Sequence, residues 1–171
     1  GFAIMVFISF SLIRPDAVAG TVQLDAEYII TVSWPDGNPD DIDTYVQDPS
    51  GNIVWYRNLE AGFLSLDRDD RGNYRDTLVV NGVRIENPLN QEIVTIRGIV
   101  PGEYVVNVEH YVANGVDPVP VTVTVQRINP QAEIVYYGTV DLDHRGDEKT
   151  AIRFTLDADG NPSNLNDRFI S

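Results

Sequence analysis

From Asp25 onward, apolar and polar residues alternate with a period of two, and Pro, Gly, Asn and Asp cut the alternation at short intervals. In Pro118 to Gln126, Val119, Val121, Val123 and Val125 fall on one face and Pro120, Thr122, Thr124 and Gln126 on the other. A helix cannot use this pattern, because its side chains repeat every 3.6 residues. Asp25 to Trp34 reads the same way, with Ala26, Tyr28, Ile30, Val32 and Trp34 on one face. Further strands are predicted over Ile42–Gln47, Ile53–Arg57, Tyr74–Val80, Val83–Ile85, Glu92–Arg97, Glu103–Val112, Ala132–Leu142 and Thr150–Leu156. The turns between them are Pro35–Pro39, Asp48–Asn52, Asn81-Gly82, Pro101-Gly102 and Asp157–Pro162. Asn-Gly between two apolar runs is the strongest short hairpin signal. Pro118 and Pro120 mark their strand as an edge candidate, because proline donates no ladder bond. About nine or ten short strands, with no convincing amphipathic helix after residue 24, predict an all-β antiparallel sandwich of immunoglobulin-like or jelly-roll-like type.

The 171 residues suffice for one domain with a core, or for one domain and an appendage. Twelve Lys and Arg stand against 26 Asp and Glu, a formal charge of -14. Nucleic acid is excluded as a partner, because phosphate binding needs a basic face. A polybasic contact with a membrane surface is excluded likewise. The balance favours divalent cations, basic partners or plain solubility. With no cysteine, the chain has no disulfide, thiolate nucleophile or thiolate zinc site.

Trp34 to Asn73 concentrates the acids, two turns and both tryptophans. One cluster holds Asp36, Asp40, Asp41 and Asp43, and the other holds Asp67, Asp69 and Asp70. Calcium takes about six to eight hard oxygen ligands, which alternate aspartates and loop carbonyls can supply. Asp41, Asp43, Asp67, Asp69 and Asp70 are therefore the candidate metal ligands, for calcium. The competing reading is acidic turns paired with Arg57, Arg68, Arg71 and Arg75. An EF-hand is excluded, since the twelfth position is Leu78 counted from Asp67 and Arg168 counted from Asp157. No Ser sits in a nucleophile elbow, and there is no His-Glu-x-x-His and no phosphate-binding glycine loop, so no enzyme is predicted. His110 falls on the apolar face of its strand and is expected to be a satisfied interior residue; His144 lies in a turn. Trp34, Trp55, Tyr45 and Tyr56 are candidates for a sugar- or peptide-binding face. Trp34 is expected in the core, and one of the adjacent pair Trp55 and Tyr56 should face out.

Ahead of the strands, Phe2 to Ile13 carries no charge and stops at Arg14-Pro15-Asp16. Three readings compete. Ala17-Val18-Ala19 has the small-x-small form of a signal-peptide cleavage site. A membrane helix is the preferred reading, although residues 1–13 rise only about 20 Å of the roughly 30 Å core, so it expects an upstream continuation. Burial in an assembly is the third. The expected organisation is an apolar segment over residues 1–14, a tether over 15–24 and the sandwich over 25–171.

Asp41-Ile42-Asp43-Thr44-Tyr45-Val46-Gln47-Asp48-Pro49-Ser50-Gly51-Asn52 resembles a bacterial exported β-sandwich family with a D-x-D run leading to D-P-x-G, a later acidic loop and a late P-G-x-Y-x-V strand. Here the last two are Asp67–Asn73 and Pro101-Gly102-Glu103-Tyr104-Val105-Val106, and the likeness covers roughly residues 25–127. Where that family carries Leu after D-x-D, this chain has Thr44. The resemblance implies an adhesion, carbohydrate-binding or protein-interaction module. An apolar segment followed by a compact exported domain is also similar to the small subunit of ion-driven motors of the MotB/ExbD/TolR type. Those subunits carry an aspartate in the helix, and residues 1–13 contain none. The expected function is a non-enzymatic, membrane-anchored interaction domain in a homo-oligomeric envelope complex, with a membrane or membrane-protein partner through residues 1–14. Its expected place is the bacterial inner membrane, with the sandwich in the periplasm or outside. The alternatives are a virion or appendage structural protein and a calcium-dependent adhesion or carbohydrate-binding module.

Overall fold

The computed structural model describes residues 26–35, 38, 40–68, 77–80, 83–86, 90–112 and 118–170. The apolar segment, the tether, Asp36, Asp69 and Asp70 lie outside them. The described residues form strands and no helix: β1 (Tyr28–Trp34), β2 (Asp41–Gln47), β3 (Ile53–Val54), β4 (Glu60–Ala61), β5 (Leu64–Arg68), β6 (Thr77–Val80), β7 (Val83–Glu86), β8 (Asn90–Ile96), β9 (Gly102–Val112), β10 (Val119–Arg127), β11 (Glu133–Leu142), β12 (Glu148–Leu156) and β13 (Pro162–Asn166). They make a six-stranded sheet, β11-β10-β1-β8-β5-β4, a five-stranded sheet, β13-β12-β9-β2-β3, and the hairpin β6-β7. Every pairing is antiparallel. The expected antiparallel sandwich is present.

Alternation sorts the side chains as the sequence predicts. On β1, Tyr28, Ile30, Val32 and Trp34 are buried, and on β10 so are Val119, Val121, Val123 and Val125. They meet Ile42, Val46, Tyr104, Val106, Val108, Ile152, Phe154 and Leu156 from the five-stranded sheet in one core. Each such side chain contributes about 1.5–3 kcal/mol on burial, which fixes the register, since a one-residue slip would expose the whole row. The Phe154 ring stacks on Tyr104, with centroids 5.4 Å apart, and lies 6.2 Å from Tyr28 of the other sheet. The Tyr28 hydroxyl donates to Gly160 O at 2.6 Å, so its polar end is satisfied at the closing turn. Burial pushes the Tyr28 and Tyr104 hydroxyls above the usual phenol range.

Three expectations change. The proline-bearing strand β10 is interior, flanked by β1 and β11. Its register with β1 ends at Ser33↔Thr122, so Pro120 lies where β1 offers no ladder partner and its missing N–H costs nothing on that side. The return strand after Asp48–Asn52 pairs only over Ile53–Val54, because Trp55 turns away to bridge Asn58. The tail, weakly patterned in sequence, adds β13 at the far edge.

Asn81 and Gly82 lie outside the described residues; the strands on either side of them pair as β6–β7, with Val80 opposite Val83. Two turns read from the sequence, Asp48–Asn52 and Pro101-Gly102, are in contact. Gly102 holds φ at +135°, and a Cβ there would stand 2.6 Å from Pro49 Cβ. Pro49 therefore requires the glycine beside it. Thr44, in place of the expected leucine, is 1% exposed, and its hydroxyl has no hydrogen-bond partner among the described residues.

Candidate functional site

Of the predicted metal ligands, Asp41, Asp43 and Asp67 are among the described residues, and Asp69 and Asp70 are not. Asp41 and Asp43 are on β2 of the five-stranded sheet, and Asp67 is on β5 of the six-stranded sheet. Asp67 accepts hydrogen bonds from Ser65 Oγ at 2.9 Å and from Thr95 Oγ1, with Arg97 Nη2 at 3.4 Å. Those partners hold it on the outer side of its sheet, where Thr95 and Arg97 flank the inward Ile96. Asp43 is 3% exposed and shares the opposite outer face with Tyr45. Among the described residues, no group of three or more His, Cys, Asp or Glu side chains is arranged to hold a metal ion.

His110 lies on the inner face of β9, as expected. Its Nε2 is 2.7 Å from Asp40 Oδ2, and both side chains are wholly buried. Trp34, also buried as expected, donates from Nε1 to Asp40 O at 3.1 Å, and Asn90 Nδ2 donates to Pro35 O and Asn38 O. This group pins the β1–β2 connection to the body of the sandwich. His144 is exposed in its turn.

The other aromatic candidates come together on the outer face of the five-stranded sheet. Tyr45, on β2, stacks on Trp55 with centroids 5.5 Å apart. Trp55 meets the edge of Tyr56 at 5.1 Å, and Tyr56 lies 6.0 Å from Tyr111 of β9. Arg57 places its guanidinium carbon 5.4 Å from the Tyr56 ring centre, a cation–π contact. The β2–β3 turn sets up this cluster. Asp48 Oδ1 accepts the amides of Ser50 and Asn52 at 2.9 Å each, and Gly51 takes φ of +89°. The chain is thereby returned along β2 and delivers Trp55 against Tyr45.

Beside the cluster runs a groove of about 130 Å³, lined by Tyr45, Gln47, Ile53, Val105, Asn107, Glu148 and Ile170. The C-terminal segment closes its rim: Ile170 N donates to Thr150 Oγ1 at 3.0 Å, and Asn107 Nδ2 donates to Ile170 O at 2.8 Å. Tyr45 donates its hydroxyl to Glu109 Oε1 at 2.8 Å. Burial first, then this bond and the charges of Glu109, Asp43 and Glu148, push that hydroxyl far above the phenol range. A hydrogen bond with Tyr56 raises Tyr111 in the same direction.

Sequence reading found Tyr45, Trp55 and Tyr56 but missed Tyr111, Glu109 and Glu148. One signal was within reach: Asn107, Glu109 and Tyr111 share the face opposite Tyr104, Val106 and Val108. The register that sets Glu109 beside Glu148 and Asp43 was not. The chain matches no family model, no curated protein and no solved structure. Among the described residues, no helix is long and apolar enough to cross a membrane.

Proposed function

We infer that this chain is a non-enzymatic binding domain working outside the cytoplasm, with the aromatic outer face of the five-stranded sheet as its contact surface. The row Tyr45, Trp55, Tyr56 and Tyr111 beside the groove carries this reading. Singly exposed apolar residues need no explanation, whereas a contiguous aromatic patch next to convergent polar groups marks an interaction site. The His110–Asp40 pair supports a non-catalytic role: neither side chain has any exposure, and a general base must come within hydrogen-bond reach of the proton it takes. The apolar run Phe2–Ile13 supports attachment to a membrane or a membrane-protein partner within a homo-oligomeric envelope complex.

The test uses the full chain, immobilised and offered peptidoglycan, polysaccharide and solubilised membrane-protein fractions of a bacterial envelope. One fraction should be retained, and the double variant Trp55→Ala, Tyr111→Ala should retain at least tenfold less while melting as a folded protein. Equal retention by a folded double variant would refute this face as the contact surface.

A further inference from the structure

Resting on the binding-face reading above, we propose that this face takes a cationic side chain, arginine foremost, from a basic segment of a partner protein. Register places three carboxylates in one row across three adjacent strands. Asp43 of β2 is opposite Glu109 of β9, and Glu109 is opposite Glu148 of β12. Neighbouring strands are about 4.8 Å apart, so the row spans roughly 10 Å. Like charges directly opposite one another destabilise a sheet. At Glu109 and Glu148 the described partners are neutral. Glu109 accepts the neutral Tyr45 hydroxyl, and Glu148 accepts the neutral Asn107 amide at 2.8 Å. Among the described residues no cation stands within ion-pair distance of Glu109 or Glu148. The nearby cations are engaged elsewhere: Arg57 donates from Nε to the Tyr56 hydroxyl at 2.9 Å, Arg153 forks onto Glu103 at 2.7 and 3.0 Å, and Lys149 is held by Asp143 and Asp147.

The groove is continuous with this row, since Tyr45 and Glu148 both line it. Its volume suits one side chain and falls short of the roughly 300–1,000 Å³ of a drug-sized pocket. The aromatic cluster favours a cation over a sugar. A sugar platform needs free ring faces, but Tyr45 and Trp55 are stacked on each other and Trp55 is also abutted by Tyr56. A guanidinium needs only one open face, and Tyr111 remains 46% exposed. The net charge of -14 steers a basic partner toward the protein from a distance.

Binding is read from Trp55 fluorescence in the full chain, with the buried Trp34 as a steady background. The probes are an eight-residue peptide alternating arginine and glycine, the same peptide with neutral citrulline for arginine, and the neutral oligosaccharide chitohexaose. The arginine peptide should bind at least tenfold more tightly than the citrulline peptide and weaken as salt is raised. The double variant Glu109→Gln, Glu148→Gln should lose at least tenfold of that affinity with its melting temperature unchanged or raised, because repulsion is relieved. No binding of the arginine peptide at millimolar concentration, or equal binding of the citrulline peptide, overturns the proposal. Chitohexaose binding that needs Trp55 but not Glu109 and Glu148 overturns it too, and leaves the binding face standing. If envelope retention is also indifferent to Trp55 and Tyr111, both readings fail.

Discussion

Asp48→Ala should loosen the hairpin that presents Trp55, and its cost can be worked from two matched turns. Asp48–Asn52 and Asp157–Asn161 share the pattern Asp-x-x-Gly-Asn. In each, the aspartate Oδ1 accepts two backbone amides: Ser50 and Asn52 at 2.9 Å, Asp159 at 2.9 Å and Asn161 at 2.8 Å. In each, the glycine takes a positive φ, +89° at Gly51 and +82° at Gly160. The difference is burial: Asp48 is 3% exposed, whereas Asp157 is open to solvent. A hydrogen bond to a charged group is worth about 1.5–3 kcal/mol net, and donors left without a partner cost most where water cannot replace it. Two amides sharing one oxygen, with Asn52 Nδ2 on Oδ2 at 2.8 Å, put the loss for Asp48→Ala near 3 kcal/mol. At about 2–4 °C per kcal/mol for a chain of this size, the melting temperature should fall by roughly 6–12 °C. Asp48→Asn keeps Oδ1 but sets an amide against Asn52 Nδ2, so about 1 kcal/mol is expected. Asp157→Ala should cost clearly less than Asp48→Ala. Thermal and urea unfolding by circular dichroism measure all three. A fall under 2 °C for Asp48→Ala, or equal falls for both alanine variants, refutes the reasoning.

Gly102→Ala should destabilise by about 3 kcal/mol in the same unfolding assays, since it combines a strained φ of +135° with a Cβ 2.6 Å from Pro49 Cβ. His110→Ala should cost about 3 kcal/mol by urea titration, because it leaves the buried Asp40 carboxylate without its imidazole and opens a void. Asp157 should titrate below 3.8 by carbon NMR, because the Asn161 and Asp159 amides stabilise its charged form. Its contribution is then present above the unfolded value and lost as pH falls through the lower folded one, so Asp157→Asn should flatten stability over that acid range alone. Calcium against EGTA should leave the melting temperature unchanged to within about a degree, given that Asp43 and Asp67 face away from each other; RT ln(1 + [L]/Kd) makes any tight site visible. A shift abolished by Asp43→Ala and by Asp69→Ala would instead seat an ion on the acidic loops.

The strands were legible because alternation encodes burial locally. Val119 to Val125 announces its inward face without reference to any other residue. Which strands become neighbours is not local. Pro120 pointed to an edge, yet β10 is interior, because proline excludes a ladder partner only at its own position and β1 ends short of it. The aromatic face was half legible. Tyr45, Trp55 and Tyr56 are close in sequence and joined by a readable hairpin, but Tyr111 arrives on β9, far along the chain, through pairing that no motif announces. The partners of Asp67 were hidden for a related reason. Asp67 sits in an acidic run, and only the β5–β8 register shows that Thr95 and Arg97 absorb its carboxylate.

The local β2–β3 hairpin ties stability to the proposed function. The β2–β3 ladder is two residue pairs long, Val46↔Val54 and Gln47↔Ile53, so ladder bonds alone hold Trp55 weakly. The Asp48 turn supplies the missing constraint from one end, and Asn58 supplies it from the other through paired backbone bonds with Trp55 at 2.8 and 3.1 Å. Asp48→Ala should therefore lower binding at the aromatic face by more than its stability loss alone would at a temperature where the variant is fully folded. Trp55 would explore positions off Tyr45, and the ordering cost would fall on the binding step. Lowered affinity with an unchanged Trp55 fluorescence spectrum and anisotropy in the unbound variant would count against this coupling. Lowered affinity with a red-shifted, more mobile Trp55 is the outcome the hairpin geometry requires.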